Sequence, residues 1–248
     1  MTYCVGIQLN EGMILASDSR TNAGVDQVGS YPKMFTFVWK EERQFVLLSS
    51  GNLATTQGVV HRLFLDSENP SCETSLRTVT DMHAAADYVG VVSTEVQKRA
   101  DSRQDPQVRF EATFILAGQI GSARHAMFLI YPEGNHIAPS PYHPFLQIGE
   151  TKYGKPILDR IVHADMSMDD ATRCVLVSLD STMRSNLTVG PPIDLLRIYR
   201  DRIDGGIRAR LGQDDPYLLS LCKHWHRGLE RIFHGLPPFN WERVKEQP

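Results

Sequence analysis

Short apolar stretches at residues 3–9 and 13–18 flank the turn tripeptide Asn10-Glu11-Gly12 and predict a β-hairpin. Further strands are predicted at 34–38 and 44–50. Past Gly51, ATTQGVVHRLFLDS reads as a helix. TVTDMHAAADYVGVVSTEVQKRADS reads as a long amphipathic one, because Met82, Ala86, Val89, Val92 and Val96 recur at helical spacing. Strands return at 110–119, 124–131, 135–138 and 145–149. Helices at 155–163 and 168–184 come next, then strands at 193–200 and 206–210 and a last helix at 215–234.

This order, strands, two helices, strands, two helices, strands, helix, lacks the strict βα alternation of a doubly wound parallel sheet. It predicts two stacked, mainly antiparallel sheets with helices packed outside. No internal repeat or long linker divides the chain, so 1–248 is read as a single domain, with 213–248 a C-terminal helical extension and a Pro-rich tail.

Composition narrows the function classes. With 26 Lys+Arg against 29 Asp+Glu, the formal net charge is −3. No basic run offers a nucleic acid or an anionic membrane an electrostatic footing. Apolar runs such as QFVLLSS and FILAG are too short to span a bilayer, and the first residues lack the basic-then-apolar form of a signal peptide. Cys4, Cys72, Cys174 and Cys222 are scattered without a CxxC pair, which reads as reduced thiols of a cytoplasmic protein.

The chemistry is concentrated at the front. A hairpin turning at Asn10-Glu11-Gly12 returns residues near 18–20 opposite residue 2, so Asp18 falls beside Thr2. Removing Met1 would give Thr2 a hydroxyl and a free α-amine on one residue, and the amine can take the hydroxyl proton. A free α-amine has a pKa of about 8, so roughly a tenth is neutral at pH 7. A fixed cation nearby enlarges that fraction. Lys33, in SYPKMFTF, is the candidate cation, with Asp18 to orient it. Gly51, at a strand end before a helix, is the candidate oxyanion donor through its backbone N–H.

These residues also carry a family likeness. TYCVGIQLNEGMILASDSRTNAG, the lysine of YPKMF and the glycine of SSGNLA resemble proteasome β-subunits and their bacterial ring-protease relatives, a branch of the N-terminal nucleophile hydrolases. GETKYGKPILDR and LDSTMRSNLTVGPPIDLL resemble the bacterial ancestral β-subunit family, Anbu. The resemblance implies an α+β fold, a four-layer αββα sandwich. It implies Thr2 as nucleophile, Asp18 and Lys33 as the charge pair, Gly51 as oxyanion donor, and Thr21 and Ser49 bordering the substrate. It also implies no metal or organic cofactor, and a homo-oligomer built as a ring or stacked rings. The pattern departs from proteasome β-subunits in two respects. Where those place a serine-bearing turn near the amine, this chain has Gly149-Glu150-Thr151. Where they place an Asp and a Ser before a glycine-rich turn, it has Ser185, Asn186 and Val189, with Asp180 further back. Glu150, Asp180, Ser185 and Asn186 are therefore candidates for a replaced supporting shell.

The expected function is a threonine-type hydrolase of peptide or amide bonds. A narrow amidase or aminoacyl transferase on a small conjugate, and a ring scaffold with a vestigial site, are the rival readings. Three other signals are set aside. Gly149 to Lys155 spells GxxxxGK, but Pro156 stands where a phosphate loop needs Ser or Thr. His224, His226, Glu230 and His234 lack the HExxH pattern of a zinc protease. Cys4 reads as small packing rather than a second nucleophile.

Overall fold

A computed structural model describes residues 1–22, 28–101 and 109–240. The chain divides into two compact units, Met1–Gln213 and Asp214–Pro248.

The first unit opens with β1 (Tyr3–Gln8) and β2 (Gly12–Asp18), paired antiparallel with Cys4 opposite Ser17 and Gln8 opposite Met13. Two short strands, β3 (Arg20–Asn22) and β4 (Val28–Ser30), form a separate ribbon. Next come β5 (Met34–Trp39), β6 (Arg43–Gly51), α1 (Leu53–Glu68), α2 (Met82–Asp101), β7 (Ala112–Ile120), β8 (Ala126–Ile130), β9 (His136–Ile137) and β10 (Phe145–Gly149). The unit closes with α3 (Lys155–Ile161), α4 (Met168–Ser185), β11 (Ile193–Tyr199) and β12 (Ile207–Leu211). One sheet runs β10-β1-β2-β11-β12 and the other β5-β6-β7-β8-β9, with every pairing antiparallel.

The run Phe45-Val46-Leu47-Leu48 shows why the sheets stack. Side chains alternate across a strand. Val46 and Leu48 face the first sheet, meeting Cys4, Met13, Leu15 and Leu196. Phe45 and Leu47 face outward onto Val59 and Leu63 of α1 and Ala85 and Val89 of α2. A strand buried on both faces reads as a continuous apolar run rather than an alternating one. On the far side α4 lies over β1 and β2, and the Tyr3 hydroxyl reaches Ser178 of α4 at 3.2 Å. The layers are therefore helix, sheet, sheet, helix: the α+β sandwich expected.

Two local expectations change. The ribbon β3–β4 is not anticipated, because three-residue polar strands carry no periodicity. The second helix begins at Met82 rather than Thr78. Ser75 to Thr78 close a turn, and the Asp81 carboxylate accepts from the N–H groups of His83 and Ala84, both at 2.9 Å. This side-chain cap fixes the start.

The second unit contains α5 (Pro216–His234), capped by Asp215, whose carboxylate accepts from the Leu218 N–H at 2.9 Å. His226 Nε2 lies 3.4 Å from Glu230. Among the described residues, no group of three or more His, Cys, Asp or Glu is arranged to hold a metal ion. Nor, among them, is any helix long and apolar enough to cross a membrane. The last eight residues of the Pro-rich tail fall outside the described residues.

Candidate active site

Thr2 stands one residue ahead of β1, and the sheet fixes its main chain. Tyr3 pairs with Gly149 of β10, and the Glu150 N–H donates to the Thr2 carbonyl oxygen at 2.7 Å. Gly149 lies so close that a Cβ there would overlap the Thr2 carbonyl oxygen. The backbone can approach this way only at glycine.

Asp18 ends β2 and is fully buried. Its Oδ1 accepts from the Tyr3 N–H at 3.0 Å and from Lys33 Nζ at 2.7 Å, and its Oδ2 accepts from the Gly190 N–H at 3.3 Å. Lys33 precedes β5, is also buried, and donates a second bond to the Arg20 carbonyl at 2.7 Å. Burial raises the Asp18 carboxyl above the ordinary carboxylate range, while the Lys33 ammonium and the backbone donors pull against it. The pair delivers a cation to the floor of the site and holds it there.

That floor belongs to a cleft of about 400 Å³, lined among others by Thr2, Thr21, Lys33, Ser49, Gly51 and Gly149. Five of the six residues expected at the site therefore meet around one cavity, and the sixth, Asp18, lies behind Lys33. Gly51 ends β6 with φ +115°, where a Cβ would run into the Glu111 carbonyl and come within 2.9 Å of the Ala112 Cα. Only glycine turns the chain there from sheet into α1.

The α-amine at this cleft is that of Met1, which precedes Thr2. Its pKa is held below the ordinary 8.0, first by burial and then by Lys33, with Asp18 and Glu150 acting in the opposite sense. Of the four candidates for the supporting shell, two come together. Glu150 is buried, and its Oε2 accepts from Asn186 Nδ2 at 3.1 Å. Asp180 instead meets Arg184 one turn along α4, at 3.2 Å, and Ser185 closes that helix.

Sequence reasoning overlooks three contributors. Arg20 donates its N–H to the Gly190 carbonyl at 3.3 Å and Nη1 to the Leu187 carbonyl at 2.8 Å, so it clamps the segment that carries Gly190. Gly190 bonds Asp18 from 172 residues away. Tyr3, fully buried, accepts on its hydroxyl from Gln147 Nε2 at 2.6 Å, and burial pushes its pKa up to about 12. The arginine of ASDSR and the glycine of TVGPP were the available signals.

The signals set aside also have places. Gly149 of the GxxxxGK segment abuts Thr2, and its Lys155 bonds Asp159 at 2.7 Å. The Cys4 thiol is fully buried against the Ser49 carbonyl at 3.7 Å, and burial drives its pKa far upward. Such a thiol is an inert packing group.

Two antiparallel sheets stacked between helical layers, with the chain's first residues leading into an inner strand beside a buried Asp–Lys pair, define the proteasome β-like N-terminal nucleophile hydrolase fold. No protein-family model matches the chain, and no curated protein matches it. Solved structures do. Anbu (ancestral beta-subunit) from Yersinia bercovieri is 41% identical with a TM-score of 0.91, covering 96% of this chain and 100% of that one. The chain of a helical assembly of the Anbu complex from Pseudomonas aeruginosa is 40% identical with a TM-score of 0.93, covering 97% and 99%. A (Gly-1) mutant of Anbu from Hyphomicrobium sp. strain MC1 is 43% identical with a TM-score of 0.89, covering 97% and 100%. The chain belongs to the Anbu family.

Proposed function

We propose that this chain is a threonine-type N-terminal nucleophile hydrolase that cleaves peptide or amide bonds. The observation that carries the reading is the meeting of Thr2, Lys33 and Gly51 around one cleft, with Lys33 held by buried Asp18. Removal of Met1 moves the α-amine onto Thr2. The Thr2 hydroxyl then attacks the substrate carbonyl carbon while the amine takes its proton. Lys33 keeps that amine basic near neutral pH, because a second cation beside it disfavours the ammonium form. The Gly51 N–H receives the oxyanion. Collapse of the tetrahedral intermediate releases the leaving amine, which takes the proton back. Water, deprotonated by the same α-amine, then cleaves the ester and restores Thr2. Thr21 and Ser49 border the bound substrate, and the chemistry requires neither metal nor organic cofactor.

Self-association belongs to the same reading. The Pseudomonas aeruginosa relative forms a helical assembly, which supports assembly of copies of this chain. The ring or stacked rings implied by the resemblance are a narrower case.

The test is to treat processed protein with an acylating probe and map the adduct by mass spectrometry. The expected result is one adduct on Thr2, absent from Thr2→Ala. An adduct at any other residue, or none, would overturn the reading.

A further inference from the structure

Glu150 is the buried acid next to Thr2 that the mechanism above leaves without a task. Its N–H is bonded to the Thr2 carbonyl at 2.7 Å, which ties its backbone to that of Thr2. The residue is 6% exposed, and Oε2 accepts from Asn186 Nδ2 at 3.1 Å. The chemistry fixes the orientation of that amide. Asn186 Oδ1 accepts from the Thr188 N–H at 3.0 Å and the Thr188 hydroxyl at 2.6 Å. A backbone N–H can only donate, so the amide oxygen must face Thr188 and the NH₂ must face Glu150. Asn186 thus presents a donor to Glu150 and fixes where its carboxyl group sits.

A carboxylate taken out of water is costly unless a cation stands near it. The buried cation Lys33 already serves Asp18 and the Arg20 carbonyl. The Arg20 guanidinium is committed to the Leu187 carbonyl, and the α-ammonium of Met1, the cation next in reach among the described residues, feels Lys33, Asp18 and Glu150. Asp18 acts on that ammonium more strongly than Glu150 does, but it is already bonded to Lys33 at 2.7 Å, which leaves Glu150 as the neighbouring acid with no ion pair of its own among the described residues.

We propose that the Glu150 carboxylate, steered by Asn186, is the positioning residue for the α-amine of Thr2 and holds its ammonium form in place between turnovers. The proposal rests on the reading of Thr2 as the processed N-terminus. It gives the turn Gly149-Glu150-Thr151 a task. The acid steadies the resting amine, whereas Lys33 presses it toward its basic form, and the balance of the two sets the pH at which the site turns on.

Titration of the α-amine itself tests this without any substrate. Full-length protein carrying an isotopic label at the N-terminal nitrogen is followed by NMR from pH 5 to 10. Glu150→Gln keeps the shape and the acceptor but removes the charge. It should lower the amine pKa by about one unit, a roughly tenfold rise in the ratio of neutral to protonated amine at fixed pH below both values. Asp180→Asn, which neutralises an acid paired with Arg184, should leave the amine unchanged. Should Glu150→Gln fail to fold, Glu150→Asp retracts the carboxylate by one methylene and should lower the value by less. An amine that titrates as in the wild type in the folded variant overturns the proposal. Mass spectrometry on the same sample keeps the two readings apart. Retained Met1 would refute the processed-threonine reading and this role toward Thr2 together. A free Thr2 with an unshifted amine would refute only the role of Glu150.

Discussion

Replacing Lys33 by methionine keeps most of the stem and removes the charge. Asp18 would then be left fully buried with only the Tyr3 and Gly190 N–H groups, at 3.0 and 3.3 Å, as donors. Breaking one half of a buried pair costs about 3–5 kcal/mol, which a domain stable by about 5–15 kcal/mol can survive. The loss should depend on pH. Burial already raises the Asp18 carboxyl above its ordinary value, and losing the ammonium raises it further. A carboxyl whose folded value lies above its unfolded one destabilises increasingly as pH rises through the interval between them. The gap between variant and wild type should therefore widen by up to about 1.4 kcal/mol per pH unit across the interval separating their Asp18 values, then level off. Urea denaturation at pH 5 and pH 8 should show the smaller deficit at pH 5. Adding Asp18→Asn removes the stranded acid, so the double variant should recover about 2 kcal/mol at pH 8 while Thr2 stays unacylated, the coupling expected of residues in contact. Lys33→Arg should also acylate poorly, because a planar fork does not fit a point-charge site. Equal deficits at the two pH values, or near wild-type acylation in Lys33→Met, would refute the reasoning.

The N-terminus offers a second check. Mass spectrometry should find Met1 absent and Thr2 unblocked, one added residue before Thr2 should abolish acylation as Thr2→Ala does, and Thr2→Ser should keep part of it. Gly51→Ala should lose about 1–3 kcal/mol of stability, read as a lowered denaturant midpoint, and most of its acylation, because its φ of +115° strains any side chain and the Cβ meets Glu111. The acylation rate should rise with pH to a plateau, with its midpoint below 8. The neutral amine is the base, and burial followed by Lys33 lowers the N-terminal amine; a midpoint above 8 in a stopped-flow pH series would contradict this.

How far each feature could be read from the sequence followed the distance over which it is encoded. The hairpin around Asn10-Glu11-Gly12 is local, and its register alone brings Asp18 to Tyr3 and Thr2. The order of strands and helices lacks βα alternation, so the stacking of the sheets was legible too, and the burial of Phe45 to Leu48 on both faces agrees with it. The start of α2 was not, because Asp81 outcompetes the apolar period that continues upstream of it. Arg20 and Gly190 escaped notice because the contacts that give them meaning join β2 and β3 to a loop some 170 residues later. The Glu150–Asn186 contact was half visible: both residues stood out as departures from the family pattern, but their meeting across 36 residues needed the fold.

The bond from Gly190 to Asp18 also sets an order in time. A chain emerging from the ribosome can form its first hairpin early, and that hairpin contains Thr2 and Asp18. Yet the bonds from Glu150 to Thr2 and from Gly190 to Asp18, and the seating of Arg20 against Leu187 and Gly190, wait until most of the chain has been made. A nascent chain thus carries its reactive groups without the frame that aligns them. Competence arrives with the last strands, so an unfinished copy is poorly equipped to attack its neighbours.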